Sequence, residues 1–198
     1  MTTTDTSRRR VASAFLAAAA LTLAGCSTGP SGNASTEPPV TSLESYDLAG
    51  LEAPQIINTL DTMPVADRPN DLIASVQPTE LVLTSGDESL ETIPIPEHQF
   101  YLSVAPYYTS THPCRFHSLT TCLGEIANEQ VHVTVTDNAS GDTLIDEPRI
   151  TYDNGFLGLW LPRGITATLT IDHDGRTATA PISTGDDDLT CLTTMQLA

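Results

Sequence analysis

The sequence runs to 198 residues with 25 acidic and 8 basic side chains, and none of the basic residues is lysine. Residues 26–198 carry 24 of the acids against five arginines, a net charge of −19. That balance excludes a phosphate backbone as partner, disfavours binding to an anionic membrane surface, and concentrates cations instead.

Arg8–Arg10 precede a short apolar run, Val11–Leu23, the layout of an export signal and too short to span a bilayer as a helix. The run ends Leu23-Ala24-Gly25-Cys26, which resembles a bacterial lipobox. The expectation is a signal over 1–25, lipidation at Cys26, and a flexible Ser/Thr/Gly/Pro-rich tether over 26–42. The folded part is thereby displayed on the extracytoplasmic face of the cell membrane.

Residues 43–80 carry the helical signals. Pro54 suits a first turn, and Ile56, Ile57, Leu60 and Met63 share one face. Pro64 stops this helix, and Asn70 is placed to cap a second one bearing Leu72, Ile73 and Val76. Beyond Pro78 the period becomes two. Leu81–Thr84 and Leu90–Ile95 flank a Ser85-Gly86-Asp87 turn, and Phe100–Ala105 forms another strand. Val131, Val133 and Val135 alternate with polar residues, as do Ala167, Leu169 and Ile171 with threonines. Turn signals fall at Asn138–Asp142, Asp153-Asn154-Gly155 and Asp174-Gly175. The fold class expected is α+β: a short helical N-terminal region (43–80), then a mostly antiparallel β-sandwich or small-barrel domain (81–198).

With Cys26 assigned to lipid, Cys114, Cys122 and Cys191 remain, an odd number that disulfides alone cannot consume. Two of them lie in His112-Pro113-Cys114-Arg115-Phe116-His117-Ser118-Leu119-Thr120-Thr121-Cys122. Were this segment helical, Cys114 and His117 would share a face. A strand carrying Cys191 beside it would gather three sulfurs and an imidazole. Three thiolates suit Cu(I), and three thiolates with an imidazole suit zinc. The alternative is a Cys114–Cys122 disulfide with Cys191 buried and inert. These residues alone leave a metal site and a disulfide staple equally open.

His117 is read as a ligand, as a base for a thiol proton, or as a donor that orients a sulfur; His112 is next in line, with an ordinary loop histidine before a proline as its equal alternative. His98, His132 and His173 are expected at the surface. Trp160 and Phe156 are expected in the β core, Asp186–Asp188 in a solvated loop, and Met195 on the face of Cys191.

Phe100–Tyr107, the segment Thr111–Cys122 with Gly124-Glu125, Asp153–Phe156, Leu159–Arg163, Pro181–Thr184 and Thr190–Thr194 together resemble the CueP family of periplasmic copper-binding proteins. The similarity spans roughly residues 43–198. It implies a copper site at Cys114, Cys122 and Cys191, copper resistance, reduction of Cu(II) to Cu(I), and supply of copper to a superoxide dismutase. It also implies a homodimer with a helical N-terminal and a β C-terminal part. In such a reductase Cys114 and Cys122 are the expected redox pair. The competing functions are a structural or buffering zinc site of Cys114, His117, Cys122 and Cys191, and a disulfide-stapled extracellular β interaction module.

Overall fold

The computed structural model describes residues 42–198; the expected export signal, Cys26 and the tether up to residue 41 lie outside the described residues. The helix α1 (Ala53–Asp61) starts as its residues dictate. Pro54 occupies the first turn, where its missing N–H costs nothing, and the Glu52 N–H donates to Gln55 Oε1 at 2.9 Å. Ala53, Ile56, Ile57 and Leu60 are buried on one face. Each large aliphatic side chain so buried contributes about 1.5–3 kcal/mol. Short 3-10 turns at Leu43–Tyr46 and Val65–Asp67 flank this helix.

The second expected helix is instead a strand, β1 (Leu72–Val76). Leu72, Ala74 and Val76 are buried in strict alternation with more accessible residues. Leu72, Ile73 and Val76 fit either period, and the β-branched pair favours the strand. The expected hairpin follows as β2 (Glu80–Ser85) and β3 (Glu88–Pro94), turning at Gly86-Asp87.

The remaining strands are β4 (Gln99–Tyr107), β5 (His117–Ser118), β6 (Gln130–Asp137), β7 (Thr143–Ile150), β8 (Leu157–Pro162), β9 (Thr166–His173), β10 (Arg176–Ser183) and β11 (Cys191–Gln196). They form three sheets, ordered β3-β2-β1-β5, β10-β9-β6-β7 and β11-β4-β8. Every pairing is antiparallel except that of β11 with β4. None of the three sheets closes on itself among the described residues, so the barrel alternative is set aside.

β4 positions the site. Residues 100–106 are all buried, because the strand serves a different core on each face. Phe100, Leu102 and Val104 join the larger core with Val131, Val133, Leu159, Leu169 and Ile171. Tyr101 points the other way, into a second core with Ile56, Ile57, Leu60, Leu72 and Leu81. Ala105, on the same side as Tyr101, joins Phe156 and Cys191 in a small third cluster, against which Cys114 and Cys122 pack. Trp160, expected in the β core, is half-buried and packs against Tyr101 instead, with ring centroids 4.7 Å apart. Phe156 is fully buried in the third cluster.

A candidate metal centre of three cysteines and two histidines

The segment 112–122 is not helical. It runs as an irregular loop, pairs for two residues as β5 with β1, and turns at Thr120-Thr121. Backbone bonds fix its course. The Leu119 N–H donates to Ala74 O at 2.9 Å, and the N–H groups of Thr190 and Cys191 donate to Arg115 O at 3.0 and 3.2 Å. Fully buried Thr190 joins three elements: its Oγ1 donates to Val76 O at 2.5 Å and accepts from the His117 N–H at 3.1 Å. The loop is thus clamped between β1 and the start of β11, and Cys191, opposite Ser103 of β4, is carried to it.

Cys114 and Cys191 are paired as a disulfide with Cα atoms 5.6 Å apart, and Cys122 is free. The expected Cys114–Cys122 pairing is therefore corrected. The clamp through Thr190 and Arg115 brings Cys191 to Cys114 from a distance of 77 residues. Cys122 Sγ lies 3.8 Å from Cys114 Sγ, and His117 Nδ1 lies 3.8 Å from Cys191 Sγ. Two sets of donor atoms each fall within 4.8 Å of one another: His117, Cys122 and Cys191, and His112, Cys114 and Cys122. The first set is the more deeply buried, with His117 and Cys191 inaccessible; the second is half-buried throughout.

Behind the sulfurs sits a carboxylate that sequence reasoning passed over. Asp61, the last residue of α1, is fully buried, and its Oδ1 lies 3.0 Å from His117 Nε2. The Tyr101 hydroxyl donates to Asp61 Oδ2 at 2.6 Å, and the Asn154 amide donates to Oδ1 at 2.8 Å and to the Asp61 carbonyl at 3.2 Å. A detectable signal existed: Asp61 stands four residues after Ile57, on the apolar face of the helix, where an unpaired carboxylate would be costly. Burial opposes charge on both partners, yet their attraction and hydrogen bond prevail. They hold Asp61 below its usual range and raise His117 to about 9. Burial pushes the Cys122 thiol up, but the His117 imidazolium and the Ser118 N–H outweigh it and lower the thiol below its ordinary value. Arg68, 6% exposed, donates from Nη1 to the Cys122 carbonyl at 2.9 Å, while its Nε and Nη2 make no hydrogen bond among the described residues. Its cation adds to the positive field around Cys122.

Two glycines permit the close approach that seats Asn154. Gly155 adopts φ +78°, and a Cβ there would lie 2.6 Å from the backbone of Gly124. The Gly124 N–H donates to the Asn154 carbonyl at 2.6 Å, tying the strand-entry turn to the residues that follow Cys122.

Other expected residues lie elsewhere. His132 is exposed and 2.6 Å from Asp146. His173 is buried rather than superficial, because it continues the inward series of Ala167, Leu169 and Ile171, and its Nδ1 meets the Tyr108 hydroxyl at 2.7 Å. His98 is exposed beside β4. Met195 is buried in the larger core, separated from Cys191 by a register shift in β11. Asp186 pairs with Arg163 at 3.0 Å, and Asp188 accepts from the Gly185 N–H, so the acidic loop is organised by its own contacts.

The family model of the periplasmic copper-binding protein CueP matches residues 55–196. The crystal structure of S.CueP is similar with a TM-score of 0.73 and 42% sequence identity, covering 79% of this chain and 94% of that one. No curated protein gives a significant match. The chain belongs to the CueP family of periplasmic copper-binding proteins, an extracytoplasmic class that binds copper. No helix of the described residues is long and apolar enough to cross a membrane.

Proposed function

We propose that the reduced protein holds Cu(I) through Cys114, Cys122 and Cys191, with His117 Nδ1 as a further donor, for copper resistance or delivery in the cell envelope. The observation that carries this reading is the convergence of the sulfurs with an imidazole whose other nitrogen is held by Asp61. A carboxylate behind a histidine fixes the ring and leaves the facing nitrogen for a metal. Two sulfurs each about 2.3 Å from one ion sit about 3.8 Å apart, and Cys114 and Cys122 are 3.8 Å apart. Soft thiolates select Cu(I) over hard cations.

The same cysteines support reduction of Cu(II). Two Cu(II) ions each accept one electron, the Cys114 and Cys191 thiolates lose one each and join as a disulfide, and two Cu(I) ions result. Cys122 keeps its sulfur reduced, and an external thiol reductant returns two electrons for the next cycle. The fully reduced protein, given excess Cu(II) and a chromophoric Cu(I) chelator under argon, should yield about two Cu(I) per chain. No Cu(I) above the level of a variant lacking all three cysteines would refute the reductive step.

A Cys3His set also suits zinc, and stronger competition by Zn(II) than by Cu(I) would favour a zinc-holding role. Anchoring through Cys26, a homodimer and transfer of copper to a superoxide dismutase complete the proposal. The lipobox-like Leu23–Cys26 supports the first, and the family resemblance supports the other two.

A further inference from the structure

The two donor sets share one sulfur, Cys122, and differ in everything else. His117 and Cys191 lie at zero and 1% exposure, whereas His112 and Cys114 are half-buried. His112 lines an open hollow with Ser110, Thr111, Leu123, Gly124 and Glu125, and Leu123 at its rim is 54% exposed. The approach to His112 is built rather than loose. The Glu125 carboxylate accepts from the N–H groups of Tyr108, Thr109 and Ser110 at 2.7, 2.9 and 3.1 Å and from Thr109 Oγ1 at 2.6 Å. The Thr111 hydroxyl donates to Thr193 O at 2.7 Å. Phe156 packs against both imidazoles, with ring centroids 6.2 Å from His112 and 4.6 Å from His117.

We infer that the centre has two metal positions, an outer one of His112, Cys114 and Cys122 at the surface hollow and an inner one of His117, Cys122 and Cys191. An ion arriving from solvent is captured by the outer set and passes inward by exchanging His112 and Cys114 for His117 and Cys191, while Cys122 remains bound throughout. The Cys114–Cys191 disulfide takes one ligand from each position, so oxidation weakens both together. This inference rests on the copper-binding reading above, divides its three sulfurs so that two hold the ion at each position with Cys122 in common, and adds His112 as a binding residue.

The test uses cysteine variants that each leave one position whole. Cys191→Ser retains the outer set and Cys114→Ser retains the inner set, and neither can form the disulfide. Cu(I) affinity of the reduced chain is measured by chelator competition under argon, with circular dichroism as the check on folding. The expected pattern is crossed. His112→Ala weakens Cu(I) binding by Cys191→Ser but not by Cys114→Ser, and His117→Ala does the reverse. In the otherwise unaltered chain, stopped-flow transfer from the chelator has two phases, and His112→Ala loses the fast one. Equal losses in both backgrounds, or no effect of His112→Ala in either, would overturn the two-position inference while leaving the copper reading intact. Failure of the unaltered reduced chain to bind Cu(I) at all would remove both.

Discussion

His117 Nε2 lies 3.0 Å from Asp61 Oδ1, and neither side chain is accessible to solvent. This contact joins the last residue of α1 to the cysteine-bearing loop, and it is the route by which the N-terminal helix reaches the candidate metal centre. Tyr101 of β4 and Asn154 before β8 close the remaining positions on the carboxylate. Four separate segments therefore agree on one ring orientation.

Asp61→Asn keeps the volume and removes the charge that orients His117. Cu(I) affinity should fall about 10–100-fold, as for other lost partners of a metal-bound histidine. Asp61→Ala should also lower the unfolding free energy of the metal-free protein by about 3–5 kcal/mol, since it strands one member of a buried pair. Chelator competition and denaturant unfolding read the two effects. An unchanged affinity in Asp61→Asn would remove Asp61 from the centre.

The Asp61–His117 pair also sets a pH dependence. His117 is raised from 6.5 to about 9 in the folded state. Its contribution to stability is therefore complete below about pH 6.5 and lost as pH rises through about 9. Asp61 is lowered, so its contribution is present above its unfolded value and disappears in acid. Metal-free stability should decline between about pH 6.5 and 9, and His117→Gln should flatten that limb. Cu(I) must displace a proton from the ring and from thiols, so affinity should rise across the same interval. Urea midpoints measured across this range, and an affinity series beside them, test both signs.

Thr190→Val removes the hydroxyl that links Val76, His117 and the entry to β11 while preserving shape. Leaving the buried His117 N–H and Val76 carbonyl unpaired should cost about 1–3 kcal/mol each. Thermal unfolding should show the loss, and Cu(I) affinity should fall with it because Cys191 is held through the same contact. A stability unchanged from the parent would show that the clamp is not formed.

Much of this architecture was legible in the sequence. The alternation of Val131, Val133 and Val135, and of Ala167, Leu169 and Ile171, marked β6 and β9 because each strand buries a single face. The apolar stripe of Ile56, Ile57 and Leu60 marked α1. β1 was misread because Leu72, Ile73 and Val76 satisfy two periods at once, and only pairing with β2 and β5 decides between them. β4 shows no alternation because both of its faces are covered. The types and number of Cys114, Cys122 and Cys191 left a metal site and a disulfide staple equally open, and it was the family resemblance that pointed to their convergence. Their pairing depends on the Thr190 and Arg115 contacts, which no spacing reveals. Asp61 was overlooked beside its aliphatic neighbours because the partners that neutralise it come from 40, 56 and 93 residues away.

The disulfide connectivity is directly testable. Air-oxidised protein treated with an alkylating agent should be modified at Cys122, and its digest should contain a Cys114–Cys191 linked peptide. After reduction all three cysteines should alkylate. A Cys114–Cys122 linkage with a protected Cys191 would contradict the arrangement seen here.

The most direct test of the central claim is Cu(I) affinity of the fully reduced chain under argon, measured against a chromophoric Cu(I) chelator with Zn(II) as the competing metal. Single Cys→Ser substitutions at 114, 122 and 191 run beside it. The account predicts tight Cu(I) binding that weakens in every variant, most in Cys122→Ser, the sulfur common to both donor sets. Affinity indifferent to Cys122, or a reduced protein that prefers Zn(II), would contradict it.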